Sequence, residues 1–273
     1  KKSADRQICG CANEMAWQRG LCSFTYLHSG TFCPFLCNFA PVMKYKHIFF
    51  DLDHTLWDFE TNSYQTLEEL YHTFNLSARG VPTFEAFYDS YVIHNEILWD
   101  RFRKGLINRN DLRYKRFSRT LLDFKIGDEK LSNALSEKFL EVLPFKTALF
   151  PYTVEVLEYL TAKNYPLHMI TNGFEDTQLL KMRNAKIDHF FTHIITSEVA
   201  GSLKPYREIF DYAITKAATR ATESVMIGDA LELDIIGAHN VGMDQIYFNA
   251  KVPATTMQPT YSISCLSELK TIL

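Results

Sequence analysis

With 273 residues, 47% of them apolar, the chain is long enough to bury a sizeable core as one large domain or as a domain carrying an insertion. Its 29 lysines and arginines nearly balance 32 aspartates and glutamates. The resulting net charge of −3 excludes a global field for gripping a nucleic acid polymer or an anionic membrane, so an anion must be met by a local site.

The chain opens with a stretch unlike the rest. Cys9, Cys11, Cys22, Cys33 and Cys37 crowd it, whereas the body holds only Cys265 and reads as a reduced, cytoplasmic protein. A zinc site built from those five is conceivable, but paired C-x-x-C spacing is missing. Leu21 to Val42 lacks Asp, Glu, Lys and Arg, yet Ser23, Gly30, Pro34 and Asn38 interrupt it too often for a membrane-spanning helix or a signal peptide. Residues 1–42 are therefore read as a disordered or non-native leader, with Met43 as the natural first residue.

From Met43 onward, short apolar runs alternate with amphipathic ones, the pattern of a doubly wound parallel α/β sheet. Strands are expected at His47–Leu52, Leu167–Thr171, His193–Ser197, Val225–Gly228 and Gln245–Phe248. Helices are expected at Thr153–Lys163, Glu175–Asn184, Tyr206–Ala217 and Leu231–Asn240. Between the first two strands the alternation stops, and helical periodicity predicts Asn62–Phe74, Thr83–Lys104, Asn108–Phe124 and Asp128–Leu143. The expected organisation is a core of residues 43–60 and 145–273 with a helical insertion at 61–144.

Four motifs fall at or just beyond the carboxyl ends of these strands, where open parallel sheets bind ligands. Asp51-Leu52-Asp53-His54 offers a carboxylate nucleophile and, two residues on, a second acid able to pass a proton. Thr171-Asn172-Gly173 offers a hydroxyl and backbone N–H groups for phosphoryl oxygens. Lys204-Pro205 offers a cation, and Asp229, with Glu232 and Asp234 behind it, offers oxygen ligands to a hard divalent metal. Singly, each has a plainer reading: a polar strand exit, an ordinary turn, a solvated lysine, acids at a helix start. What lifts them is that one sheet brings together a complementary set.

In this order the motifs resemble those of the haloacid dehalogenase superfamily, from Lys46 to Asn249. The resemblance implies a phosphatase with a Rossmann-like core and an inserted α-helical cap. Asp51 would be the nucleophile and Asp53 the general acid and base. Mg²⁺ would be held by Asp51, Asp229 and the Asp53 carbonyl, with Asp234 as an outer partner. Thr171, Asn172, Lys204 and His54 would meet the substrate, a small phosphorylated metabolite, and the enzyme would be a monomer or homodimer. The segment Leu98-Trp99 through Gly105-Leu106-Ile107, then Leu112 and Arg116-Phe117, resembles caps of noncanonical pyrimidine nucleotidases. That favours pyrimidine nucleoside monophosphates, while the Asp229–Asp234 stretch also suits sugar-acid phosphates.

The insertion is rich in cations, from Arg101, Arg103 and Lys104 through Arg109, Arg113, Lys115, Arg116 and Arg119. One or two are expected to face the cleft, the others to be solvated. Trp57 and Phe59 could stack on a base or simply pack at the junction. Rival readings are a sugar-phosphate or phosphoglycolate phosphatase, a phosphomutase, a haloacid dehalogenase, which would need neither Asp53 nor Asp229, and an inactive binding protein. Dinucleotide, P-loop, serine hydrolase and zinc protease signatures are absent.

Overall fold

A computed structural model describes residues 44–248 and 257–273. The expected leader, its cysteines and Met43 lie outside the described residues. In chain order the elements are β1 (His47–Phe50), α1 (Phe59–Thr73), α2 (Phe84–Arg103), α3 (Arg109–Asp123), α4 (Glu129–Val142) and α5 (Thr153–Ala162). There follow β2 (Leu167–Thr171), α6 (Glu175–Asn184), β3 (Phe191–Thr196), α7 (Ser197–Ala200), α8 (Arg207–Lys216) and β4 (Ser224–Gly228). A π-helix at Leu231–Ile236 runs into α9 (Gly237–Asn240), then β5 (Asp244–Phe248), β6 (Tyr261–Ile263) and α10 (Leu269–Ile272).

The six strands form one parallel sheet in the order β3-β2-β1-β4-β5-β6. Strand order reverses between β1 and β4, which opens a crevice beyond their carboxyl ends. Alternation along β1 sends Ile48 and Phe50 to one face and Phe49 to the other. Phe49 packs with Ile209, Phe210 and Ala213 of α8, while the opposite face packs with Val156 and Leu160 of α5 and Met182 of α6. Phe49 and Phe50 are wholly buried, each contributing about 1.5–3 kcal/mol.

Five α-helices stand between β1 and β2, and the first four, α1–α4, make up the insertion. Three start where expected, on side chains that accept from a first-turn N–H: Thr83 for α2, Asn108 in a capping box with Asp111 for α3, and Asp128 for α4. The first starts earlier, at Phe59, because Asp58 is its N-cap. Asn62, the expected start, is buried and holds Ala148 from both sides, donating to its carbonyl at 2.8 Å and accepting from its N–H at 3.0 Å. Asp58 N–H also reaches the Ala148 carbonyl at 3.1 Å, and Phe150 N–H reaches the Leu56 carbonyl at 2.9 Å. The two chain crossings between sheet and insertion are thus laced to each other. Strand β6 is an addition to the expected set; its three residues, Tyr261-Ser262-Ile263, are too few to show a period.

Candidate active site

At the reversal point a cavity of ≈ 680 Å³ lies between the sheet ends and the insertion. Asp51, Asp53, His54, Thr171, Asn172, Lys204, Asp229 and Asp234, all singled out from the sequence, line it.

Lys204 is the centre of the core side of the cavity. Its Nζ donates to Asp51 Oδ1 and Asp234 Oδ1, each at 2.6 Å, and to the Ile170 carbonyl at 2.9 Å. Its backbone is fixed by Asn172, whose Oδ1 accepts from Lys204 N–H at 2.7 Å and whose Nδ2 donates to the Lys204 carbonyl at 2.9 Å. The Asn172 side chain is therefore spent on positioning Lys204. Burial alone would lower the lysine's pKa, but the Asp234 and Asp51 carboxylates outweigh it and hold the ammonium charged.

The acids are crowded. Burial pushes the Asp51 carboxyl well above the usual range; Lys204 opposes this, while Asp234 and Asp229 add to it. Asp229 is raised to about 6, by burial and then by Asp234. Ligand oxygens of Asp51, Asp229 and Asp234 all lie within 4.8 Å of one another. Asp234 is already engaged by Lys204 and by Ala230 N–H at 3.0 Å, and Thr55 Oγ1 donates to Asp229 at 3.2 Å. An oxygen set with more negative charge than Lys204 alone can offset fits a hard divalent cation such as Mg²⁺. Gly228 admits this packing, since a Cβ there would overlap the Asp234 carboxylate. The π-helix places Asp234 on a widened turn next to Asp229.

Asp53 is held differently, and by residues that the motif reading missed. Lys181 Nζ donates to its Oδ1 at 2.7 Å and Gln178 Nε2 to its Oδ2 at 2.8 Å, Gln178 also reaching Thr171 Oγ1 at 3.2 Å. Burial would raise this carboxyl, but Lys181 and Gln178 together keep it below the usual carboxylate range. The sequence did carry a signal for the pair. In α6 the inward stripe is Gln178, Lys181 and Met182, while Leu180 on the other side is exposed, so polar groups occupy a face that should be apolar. Gly173 makes room for Gln178, whose side chain a Cβ there would overlap.

The insertion closes the other side with Asn95, Trp99, Arg103 and Arg116. Two of the expected cations, Arg103 and Arg116, thus face the cavity. Lys104 and Lys115 pair with Asp100 and Asp111 one helical turn away, as solvated side chains do. Arg109 reaches across to Asp176 at 2.9 Å and Glu198 at 2.6 Å, lying 4.3 Å over the ring of Phe174. Trp57 takes the packing alternative: it is wholly buried, donates to the Lys146 carbonyl at 3.3 Å and underlies Lys181 at 4.2 Å. Phe59 and His54 do border the cavity, joined there by Phe174, whose ring stacks on Trp99 at 5.7 Å.

Residues 45–242 match the haloacid dehalogenase-like hydrolase family. The chain is 30% identical over 230 residues to the pyrimidine 5′-nucleotidase PynA of Streptococcus pneumoniae, covering 83% of this chain and 94% of that one. It is 31% identical over 234 residues to the pyrimidine 5′-nucleotidase YjjG of Escherichia coli, covering 85% and 99%. Among solved structures, the magnesium-bound HAD-hydrolase YfnB of Bacillus subtilis superposes with a TM-score of 0.76 at 28% identity, covering 84% of this chain and 98% of that one.

Proposed function

This chain belongs to the haloacid dehalogenase-like hydrolase family and is a phosphatase, and we propose that it hydrolyses pyrimidine nucleoside 5′-monophosphates through a phosphoryl group carried on Asp51. The observation that carries this reading is the buried contact of Asp51 with Lys204 at the floor of a cavity walled by aromatic rings. An Asp51 oxygen attacks phosphorus as the ester P–O bond breaks, and the leaving oxygen takes a proton from Asp53. Asp53 then removes a proton from water, which attacks phosphorus and returns the Asp51 carboxylate. Lys204 keeps one Asp51 oxygen oriented, and the Thr171 hydroxyl with the Asn172 backbone N–H receives the phosphoryl oxygens, the Gly173 N–H being held by Thr171 Oγ1 at 3.1 Å.

As found, Asp53 is set to accept a proton. To donate one it must first take up a proton from solvent and give up Lys181 for the leaving oxygen. Mg²⁺, held by Asp51, Asp229 and the Asp53 carbonyl, would supply positive charge where carboxylates and phosphoryl oxygens meet. The helices α1–α4 act as the cap of a two-part enzyme whose core is residues 43–60 and 145–273. Phe59, Trp99 and Phe174 provide flat apolar faces for a base, which together with the 30% and 31% identical nucleotidases favours nucleotides over sugar phosphates. We place the enzyme in the cytoplasm; Cys265 forms no disulfide among the described residues, and no described helix is long and apolar enough to cross a membrane.

Steady-state rates for uridine and thymidine monophosphates, hexose phosphates, phosphoglycolate and N-acylneuraminate 9-phosphate test the assignment, with and without chelator. The nucleotides should be preferred, and Mg²⁺ should restore chelated enzyme. A sugar phosphate turned over about a hundredfold more efficiently, roughly 2.7 kcal/mol in transition-state binding, would overturn the nucleotide assignment and leave the phosphatase standing.

A further inference from the structure

Arg116 on α3 is 5% exposed, yet it borders the cavity and has no carboxylate within ion-pair distance among the described residues. The contrast with its neighbours is informative: Arg109, Lys104 and Lys115 are all more exposed and all have acids. A buried guanidinium with no counter-charge is costly, because it gives up hydration without receiving an ion pair. What holds it is aromatic. Its guanidinium carbon lies 4.8 Å from the ring centre of Phe139, 5.8 Å from Phe117 and 6.0 Å from Tyr91. It donates to Asn95 Oδ1 at 3.3 Å, and Asn95 is 9% exposed and also borders the cavity. Arg116 Nε is buried without a hydrogen-bond partner, and the Tyr91 hydroxyl lies against the same guanidinium. The group is built into place and electrically unfinished.

A guanidinium can only donate, and its planar fork matches planar acceptors. The phosphoryl group has its own receptors at Thr171 and Lys204 on the sheet side, so the part of the substrate left for the insertion is the leaving group. We propose that Arg116, steadied by Asn95, is the specificity-determining residue and binds a planar acceptor-oxygen group of the leaving group. On the reading above, that group is the carbonyl edge of a pyrimidine; a carboxylate has the same chemistry. The assignment rests on the phosphatase reading for its site and deepens the nucleotide reading without depending on it.

The test compares kcat/KM on uridine monophosphate, phosphoglycolate and phenyl phosphate, whose leaving group has no acceptor oxygen beyond the ester, in wild type, Arg116→Met and Arg116→Lys. Arg116→Met should lower the ratio of uridine monophosphate to phenyl phosphate by about 10- to 100-fold, mainly through KM, and Arg116→Lys should recover part of it. A collapse confined to phosphoglycolate would identify a carboxylate and retain the role of Arg116 while removing the nucleotide reading. Equal losses on all three esters would mean that Arg116 serves the phosphoryl group or the fold, and an unchanged ratio would mean that it only packs. Either result overturns the proposal. Should Arg116→Met fail to fold, as judged by its melting transition, Asn95→Ala keeps the guanidinium and removes its anchor. The same ratio must then fall.

Discussion

The two walls of the cavity are finished to different degrees. On the sheet side, Lys204 Nζ spends its donors on Asp51, Asp234 and a backbone carbonyl, and Asn172 fixes the lysine's backbone from both sides. On the insertion side, Arg116 has no counter-charge among the described residues, and its Nε is buried without a hydrogen-bond partner. Gln178 Oε1 on the sheet side is also buried without a partner, so the difference is one of charge: the sheet side leaves carboxylate oxygens for a cation, and the insertion side leaves a guanidinium for an acceptor. A wall that handles the same phosphoryl group in every turnover gains from having its groups fixed in place beforehand. One that meets the variable part of a substrate gains from reserving its donors.

The strongest way to break this division is at Asp51. Asp51→Asn should lower kcat by at least about a thousandfold, because an amide is a poor nucleophile toward phosphorus. The fold should survive, since Lys204 keeps its 2.6 Å contact with Asp234 and its carbonyl partner. Turnover of phenyl phosphate and the melting temperature, measured on the same preparation, check both halves. Retained activity would move the chemistry off the sheet wall altogether.

A second experiment asks whether the firmness of that wall comes from the sheet beneath it. His168 of β2 is buried between the rings of His47 and His193, each 5.3 Å away, near the amino ends of the strands and away from the cavity. Burial, with the neighbouring His47 and His193, lowers its pKa to about 3. Between that value and about 6.5 the unfolded chain binds a proton that the folded chain refuses, so stability must fall as the pH drops through this window. Urea unfolding at pH 7 and pH 4.5 should show wild type losing ground to His168→Leu by up to about 1.4 kcal/mol per pH unit, with kcat at pH 7 the same in both. The raised Asp51 and Asp229 titrate in both proteins and cancel in the difference.

The division also explains what could be read from the sequence. Strand ends carry their chemistry in consecutive residues, so Asp51, Asp53, Thr171, Lys204 and Asp229 each stood out beside an apolar run, and the parallel sheet that gathers them followed from the alternation of periods. The partners of Asp53 did not stand out. Lys181 and Gln178 lie on a helix whose inward face is polar, where a rule that pairs burial with apolarity points the wrong way. Arg116 was one of eight cations within a short span of the insertion. Only packing distinguishes the one held among Phe139, Phe117 and Tyr91 from those in water. Trp57 was ambiguous for the same reason, and its indole went to the Lys146 carbonyl and the junction.

The smallest expected effect lies where the walls meet. Arg109 at the start of α3 grips Asp176 of α6 and Glu198 of α7, and Glu198 in turn accepts from Glu175 N–H at 2.8 Å. Beneath it, Phe174 packs with Leu98 and Leu112 of the insertion, so an ion pair and an apolar patch share one seam directly beyond Thr171 and Gly173. The ion pairs are partly exposed, at 32% for Arg109 and 63% and 36% for its partners, which limits them to about 0.2–1 kcal/mol each. Arg109→Ala should therefore raise KM for the nucleotide about threefold to tenfold, with little change in melting temperature. Salt provides the control, because screening weakens exposed pairs and leaves the Phe174 patch intact. Raising NaCl from about 0.05 M to about 0.5 M should increase KM for wild type toward that of Arg109→Ala and leave the variant nearly flat. A parallel salt response in both proteins would show that the seam is held by Phe174 and its apolar neighbours alone.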